Sequence, residues 1–146
     1  MRTALVTLLA WAVLALPAHG DSLAITELNA GIHIIRAEVA NTFETRARGL
    51  MYREALAVNQ GMLFIFPAVE RHCMWMKNTP LPLSVAFIDQ GGKVVSISEM
   101  VPHTETSHCA AQPARYALEM NKGWFAGKGI RAGMMIHGLD KAGPPQ

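Results

Sequence analysis

The sequence predicts an α+β domain that is mostly β, built as one compact barrel-like or curled antiparallel sheet with one or two short helices. Two observations support this prediction. About six short runs rich in apolar and β-branched residues are separated by turn residues, and few segments have helical signals. The chain has 146 residues, which is enough for one domain and too few for two. Many short strands bury their apolar faces most readily in a small barrel or a curled sheet.

The first predicted elements are a strand and a short helix. Residues 32–39 mix apolar and polar side chains, and their β-branched content favours a strand. The pair at 41–42 is expected to cap a helix that ends near Gly49, because Asn and Thr side chains accept hydrogen bonds from the first free backbone amides. The arginines of this helix are expected to face solvent. The residues expected to face the core are Phe43, Ala47 and Leu50.

Two further strands are predicted in the middle of the chain. The turn residues 59–61 precede the strongly apolar run 62–66. Pro67 is expected to end this strand, because proline has no backbone N–H to donate. A second strand is predicted over 72–76.

The clearest predicted element is a hairpin. The apolar runs 85–89 and 94–98 flank the turn 90–93, whose paired glycines can adopt the positive φ that tight hairpin turns require. The remaining predicted elements are a long polar loop over 102–113, a strand over 115–120, a helical turn over 124–126 and a last strand over 134–139.

The first 20 residues differ from the rest of the chain. A positive charge at Arg2 precedes an uncharged apolar stretch that is too short to span a bilayer, and small residues at Ala18 and Gly20 occupy the positions that a signal peptidase reads. These features predict a cleavable signal peptide over 1–20 and a periplasmic or secreted protein, with no stable membrane insertion after cleavage. The rest is expected to form one β-rich domain over 21–140 and a flexible tail over 141–146.

The charge balance argues against nucleic acid as a partner. The chain has 13 Lys+Arg and 11 Asp+Glu, and loss of the signal peptide removes Arg2 and no acid, which leaves 12 basic residues. These residues are scattered singly and create no basic field that could hold phosphates. The expected partner is a small molecule or a protein of the cell envelope.

The two cysteines, Cys73 and Cys109, form the best-defined chemical pair. An even number of cysteines in an exported protein makes a disulfide the default expectation. Each cysteine follows a histidine, so zinc or copper binding is an alternative, although adjacent strand residues point to opposite faces and would not converge on one ion. The residues of this alternative metal site are His72, Cys73, His108 and Cys109. No cofactor is predicted.

A group of short motifs stands out along the chain. The motifs are Gly49-Leu-Met-Tyr-Arg53, Gly61-Met-Leu-Phe64, Trp75-Met-Lys-Asn-Thr79, Pro82-Leu83, Phe87-Ile-Asp89, Ala117-Leu-Glu119 and Gly129-Ile130 with Gly133. Taken together and in this order, they resemble the domain of unknown function 192 family, including its exported bacterial members. The resemblance implies a compact β-rich α+β domain, and it implies no reaction and no catalytic residues. One departure is Gly133-Met134, where similar proteins often have Gly-Asp.

The expected function is that of a non-catalytic accessory or ligand-binding protein of the periplasm, because polar residues cluster within otherwise apolar motifs and no catalytic motif is recognisable. One alternative is a metal-handling protein that uses the two His-Cys pairs. Another is an enzyme that acts on cell-envelope material, with Glu119 or Asp89 as a general base. The predicted ligand-binding residues are Arg53, Trp75, Lys77, Asn78, Asp89 and Glu119.

Overall fold

The computed structural model describes residues 22–146, so the predicted signal peptide over 1–20 lies outside the described residues. The described residues form nine strands, two short helices and a 3₁₀ turn. The strands are β1 (Ile25–Ala30), β2 (His33–Ala40), β3 (Gln60–Glu70), β4 (Cys73–Met74), β5 (Leu83–Ile88), β6 (Val94–Met100), β7 (His108–Cys109), β8 (Ala114–Asn121) and β9 (Ile136–His137). The helices are α1 (Phe43–Arg48) and α2 (Trp124–Gly127), and the 3₁₀ turn covers Leu139–Ala142. No helix within 22–146 is long and apolar enough to cross a membrane.

Seven of these strands form one curled sheet in the order β6-β5-β8-β3-β2-β1-β9, which confirms the predicted mostly β fold class. The sheet differs from the expected antiparallel one at a single pair. Strands β2 and β3 are parallel, with Arg36 opposite Gln60 and Ala40 opposite Phe64. Between these strands the chain passes through α1 and returns to the starting end of β2, and such a crossover makes the second strand parallel to the first.

The opposite edges of the sheet meet at one end. A bridge between Lys93 and Met135, together with the hydrogen bond from the Ile136 amide to the Gly92 carbonyl (2.8 Å), joins the β5–β6 turn to the segment around β9. Because β6 and β9 are the two edge strands, these contacts curl the sheet into a half-barrel. Gly92 has a φ of 94°, and a Cβ there would lie 2.8 Å from the Ile136 carbonyl oxygen, so the closure requires glycine.

One side of the sheet carries an apolar cluster that we call the first core. It includes Leu118 and Met120 of β8, Ile35 of β2 and Phe125 of α2, all of them fully buried. The 3₁₀ turn contributes Leu139. This side is therefore closed by the C-terminal segment of the chain.

The other side carries what we call the second core. It includes Ala117 of β8, Met62 of β3, Val85 of β5 and Leu50, which follows α1. Side chains alternate between the two faces of a strand, so Glu119, two residues after Ala117, lies on this side. Its cross-strand partners Met62 and Val85 belong to the same core.

Strands β4 and β7 form a separate two-stranded ribbon. Cys73 lies opposite Cys109, and a disulfide joins them, as the sequence predicted. The strand predicted over 72–76 is only Cys73–Met74, because the backbone beyond it bonds to a loop instead of a neighbouring strand. The Met76 amide, for example, donates to the Thr104 carbonyl (2.9 Å).

The predicted helix is present as α1. Leu50 is buried and Arg48 is exposed as expected, but the other residues expected to face the core or solvent were predicted wrongly. Thr42 caps it as expected, since its hydroxyl accepts from the Thr45 amide (3.1 Å). Phe43 is 74% exposed and Ala47 is also exposed, whereas Arg46 is half-buried. The arginine can turn inward because backbone carbonyls on the inner side accept hydrogen bonds from its guanidinium.

Three strands also differ from the prediction in their presence or their length. Strand β1 was not predicted, because Leu28, Asn29 and Ala30 have little β propensity and pairing with β2 decides their conformation. Strand β3 continues past Pro67, which lies where the pairing with β8 is irregular and no ladder hydrogen bond is required of it. The last strand contains just Ile136–His137 of the predicted 134–139.

The predicted tail over 141–146 begins inside the 3₁₀ turn and ends against α1. The Gln146 amide donates to the Asn41 carbonyl (2.7 Å), and the Asn41 side-chain amide donates to the Pro144 carbonyl (3.1 Å). The tail thus contacts the domain, and its flexibility stays a prediction.

Candidate functional site

Among the ionisable residues within 22–146, Glu119 is the one that the fold buries, with 3% of its surface exposed. It lies in β8 between Met62 and Val85. Burial raises the pKa of its carboxyl to about 8, with no contribution from a hydrogen bond or a neighbouring charge. At pH 7 the side chain is therefore mostly a neutral carboxylic acid, which can donate a hydrogen bond as well as accept one.

The Glu119 carboxyl lines a small cavity of about 30 Å³, which we call the Glu119 cavity. It lies between α1 and the segment 74–79 and has room for a water molecule or one small head group. Larger depressions, of about 250 and 430 Å³, lie elsewhere on the described surface, and neither is lined by a buried charged side chain. The residues that line the Glu119 cavity include Arg46, Arg48, Phe64, Trp75, Thr79 and Glu119.

Helix α1 brings two arginines to this cavity. Arg46 is held in place by the Ile65 carbonyl, which accepts from its guanidinium at 3.0 Å, and by the Asn41 carbonyl. The Arg48 carbonyl accepts from the Met51 amide (3.1 Å), but its guanidinium has no hydrogen bond or ion pair within 22–146, so its charge is free to meet a ligand. The helix ends at Gly49, with φ of 49°, where an added Cβ would lie 3.1 Å from the Phe64 ring. Glycine therefore lets the chain turn closely over the cavity.

The backbone around segment 74–79 is strained. Tyr52, Asn78 and His103 all have positive φ, of 63°, 53° and 60°, which non-glycine residues rarely adopt. Hydrogen bonds tie these residues together, from the Tyr52 amide to the Asn78 carbonyl (2.8 Å) and from the His103 amide to the Thr79 carbonyl (3.2 Å). Strained backbone persists where the surrounding structure holds it, and it concentrates at functional sites. The segment over the cavity is therefore a preorganised one.

Trp75 borders the Glu119 cavity with a ring that is 45% exposed. The Lys77 ammonium lies 5.1 Å from the centre of this ring and 3.6 Å from the Glu105 carboxylate. The lysine thus has local partners, whereas much of the indole remains open to solvent. Nearby, the Thr79 hydroxyl is buried and donates to the Lys77 carbonyl (3.0 Å).

The disulfide lies immediately before this segment and removes the thiolates that the alternative metal site requires. The Cys73–Cys109 bond leaves neither sulfur free to bind zinc or copper as a thiolate. His72 stacks on Phe66, with ring centres 3.7 Å apart, and its Nε2 lies 2.8 Å from the Ala68 carbonyl. Within 22–146 the structure brings together no group of three or more His, Cys, Asp or Glu side chains able to hold a metal.

Two of the six predicted ligand-binding residues lie in other parts of the fold, and two more belong to segment 74–79 without lining the cavity. Arg53 forms a two-pronged ion pair with Glu38, with one N–O distance of 3.0 Å. Asp89 stabilises the hairpin turn, since its Oδ1 accepts from the Gly91 and Lys93 amides (2.9 Å each). Of the other four, the structure groups Trp75 and Glu119 at the cavity, with Lys77 and Asn78 on the adjoining segment.

Three cavity residues were missed by the sequence analysis, namely Arg46, Arg48 and Thr79. The arginines were assigned to solvent because Phe43, Ala47 and Leu50 were expected to form the core-facing side of this short helix. Thr79 was interpreted only as part of a motif. A sequence signal for them exists in the family resemblance, since Gly49 and Thr79 lie at the ends of two of its motifs.

The described residues thus form a compact β domain, a curled half-barrel. Its candidate binding site is the Glu119 cavity. Its family follows from the sequence. Residues 24–138 match the domain of unknown function 192 family, described as Uncharacterized ACR, so the chain belongs to this family. No curated protein matches the chain.

Two solved structures are similar to this one. A proposed transcription regulator from Sinorhizobium meliloti 1021 has 36% sequence identity and a TM-score of 0.76, and the match covers 80% of this chain and 95% of that one. A protein of unknown function from Novosphingobium aromaticivorans DSM 12444 has 34% identity and a TM-score of 0.76, over 88% of this chain and 94% of that one. The half-barrel is therefore shared with these two proteins.

Proposed function

We propose that this chain is a non-catalytic ligand-binding domain of the periplasm and that its ligand is bound at the Glu119 cavity. The observation that carries this proposal is the buried Glu119 side chain, which lines a cavity and forms no side-chain hydrogen bond within 22–146. Because no fully buried side-chain oxygen of these residues lacks a partner, the carboxyl oxygens reach the open space of the cavity.

A purely structural role does not account for this carboxyl. Removing a carboxyl from most of its water costs free energy even where a cavity reaches it, and an apolar side chain of similar size at position 119 would complete the second core instead. A ligand that forms a hydrogen bond with Glu119 recovers the missing interaction. The exposed ring of Trp75 beside the cavity offers a surface for the rest of such a ligand.

The periplasmic location rests on two features. The first 20 residues have the composition of a signal peptide. The Cys73–Cys109 disulfide, which is exposed at both ends, is the kind of bond that forms and persists in an oxidising compartment.

The proposal is tested by screening small polar fragments against the mature protein with ¹H–¹⁵N NMR. We expect some fragments to shift the Trp75 indole signal and leave that of Trp124, which donates to Asn59 at 3.2 Å and packs in the first core. Glu119→Leu should abolish these shifts, whereas the exposed control Glu54→Gln should retain them. Fragments that bind a correctly folded Glu119→Leu variant as well as the wild type would contradict the proposal.

A second candidate, an enzyme of the cell envelope, is favoured by the pKa of Glu119. A carboxyl with a pKa of about 8 retains its proton at neutral pH and so suits a general acid better than the general base that the sequence suggested. Asp89 cannot assist it from the hairpin turn. Turnover of envelope fragments that falls at least about a hundredfold in Glu119→Gln would support this candidate, and unchanged turnover would exclude it.

The role named for the S. meliloti protein is not extended to this chain. The mature part of the present chain has 12 basic and 11 acidic residues, which provides little attraction for DNA phosphates. We therefore propose a small molecule or an envelope protein as the partner.

A further inference from the structure

The charges at the Glu119 cavity indicate which chemical class of ligand it accepts. The charged or titratable groups that line the cavity are Arg46 and Arg48 from α1 and Glu119 from β8. The other packed elements contribute Phe64 of β3 and, from segment 74–79, Trp75 and Thr79, none of which titrates near neutral pH. The guanidinium of Arg46 is directed to the Asn41 and Ile65 carbonyls and lies 3.4 Å from the Gln146 oxygen. The charge left free at the cavity is therefore that of Arg48, and it favours an anion.

The two arginines have different tasks in this arrangement. The guanidinium of Arg46 is already occupied by the Asn41 and Ile65 carbonyls. Arg48 is exposed and has no such partners within 22–146. An anion at the cavity would thus be paired by Arg48, with Arg46 adding a fixed positive charge.

The size of the cavity limits the group that can enter. A volume of about 30 Å³ admits a head group of one or two oxygens but not the body of a drug-sized molecule, which needs several hundred Å³. A planar carboxylate fits this limit better than a tetrahedral phosphate. The body of the ligand then remains outside, where the exposed Trp75 ring can contact an apolar or aromatic group.

We propose that the ligand is a carboxylate whose head enters the cavity, accepts a hydrogen bond from the Glu119 carboxyl and pairs with Arg48, while its body packs on Trp75. This inference rests on the proposed function and specifies its ligand class. The Glu119 carboxyl donates a hydrogen bond to one oxygen of the ligand carboxylate, and Arg48 pairs with the other oxygen. The carboxylate can belong to a small organic acid or to the C-terminus of a peptide.

The test uses a matched pair of probes, phenylacetate and its neutral amide phenylacetamide, titrated into the mature protein by NMR at pH 6.5. Phenylacetate should bind at least about tenfold more tightly than the amide, because a charge-assisted hydrogen bond is lost with the amide. Arg48→Gln should weaken phenylacetate binding by about tenfold, and the distant exposed Arg131→Gln should not. Equal binding of acid and amide would overturn the carboxylate assignment while leaving the proposed function intact. If neither probe shifts the Trp75 signal, the carboxylate assignment fails, whereas the proposed function fails only if the fragment screen gives no Trp75 shift either.

Two further arms sharpen the assignment. The Kd for phenylacetate should rise about tenfold per pH unit above pH 8, where Glu119 ionises and repels the ligand, and it should stay flat in Glu119→Gln, whose amide can still donate. A flat profile in the wild type would contradict the role of Glu119 as donor. Tighter binding of phenyl phosphate than of phenylacetate would overturn the assignment of a carboxylate head group. An acetylated Gly-Phe dipeptide, with a free or an amidated C-terminus, separates a peptide source from a small acid.

Discussion

The two cores of this half-barrel are built from the same strands but differ in what they bury. On β8, Leu118 and Met120 enter the first core, where no charged side chain is buried among the described residues, whereas Glu119 between them enters the second core and meets a cavity. The first core is closed by α2 and the 3₁₀ turn, and the second is covered by α1 and by a strained, disulfide-pinned segment. One face of the sheet thus provides stability, and the other gives up part of it to keep an acid beside a cavity. The following predictions test this difference.

The largest effect is expected in the first core. Phe125→Ala should lower the free energy of unfolding by roughly 3–5 kcal/mol, because it empties a fully buried position. The control is Phe43→Ala, where the ring is 74% exposed and the change should stay within about 0.5 kcal/mol. Denaturant unfolding measures both. A loss below 1 kcal/mol in the first variant would mean that the first core is not the stabilising side.

The next effect concerns the ribbon beside the second core. Replacing Cys73 and Cys109 by serine should lower the free energy of unfolding by roughly 3–4 kcal/mol, since the disulfide joins residues 36 positions apart. Amide hydrogen exchange in segment 74–79 should also become faster. The wild type in reducing agent provides the matched control and should lose a similar amount. Unchanged exchange in 74–79 would show that the disulfide does not hold the cavity wall.

Glu119→Gln should change the pH dependence of stability. Below pH 4.5 the carboxyl is neutral in the folded and the unfolded chain, whereas between pH 4.5 and about 8 the unfolded chain releases a proton that the folded chain retains. Wild-type stability therefore falls as pH rises through this range, by roughly 1.4 kcal/mol per unit at most. The variant lacks this term, so its advantage over the wild type should grow to a few kcal/mol by pH 8.

Urea unfolding at pH 4.5, 6, 7 and 8 measures this difference, with Glu54→Gln as an exposed control whose difference from the wild type stays constant. A constant difference for Glu119→Gln as well would mean that Glu119 is not protonated in the folded protein at neutral pH.

The smallest effect is expected at Arg53. Its ion pair with Glu38 is partly exposed, so Arg53→Ala should lower the free energy of unfolding by less than about 1 kcal/mol. Because Arg53 does not line the Glu119 cavity, ligand-induced shifts of Trp75 should be retained. Loss of those shifts in the folded variant would extend the binding surface to Arg53, as the sequence analysis proposed.

Structural features that depend on short sequence patterns or on the cysteine count were predicted correctly. Features that depend on contacts between distant residues were not. The hairpin between β5 and β6, the Thr42 cap and the disulfide pair follow from short patterns or from that count, and the structure contains all three. The inward turn of Arg46 could not be predicted, because it depends on the carbonyl of Ile65 on another strand. Glu119 was singled out as a candidate, but its cavity was not.

The amino-acid sequence by itself determined the mostly β class, the family and the cysteine pair. The class and the family depend on residue periodicity, turn residues and motifs that act within a few positions of each other. The cysteine pair, 36 positions apart, follows from the even number of cysteines. Only the tertiary structure decided that β2 and β3 are parallel, and that α1, segment 74–79 and β8 meet around one carboxyl. The physical reason is that the protonation of Glu119 depends on its burial, and burial is produced by chain segments that are far apart in the sequence.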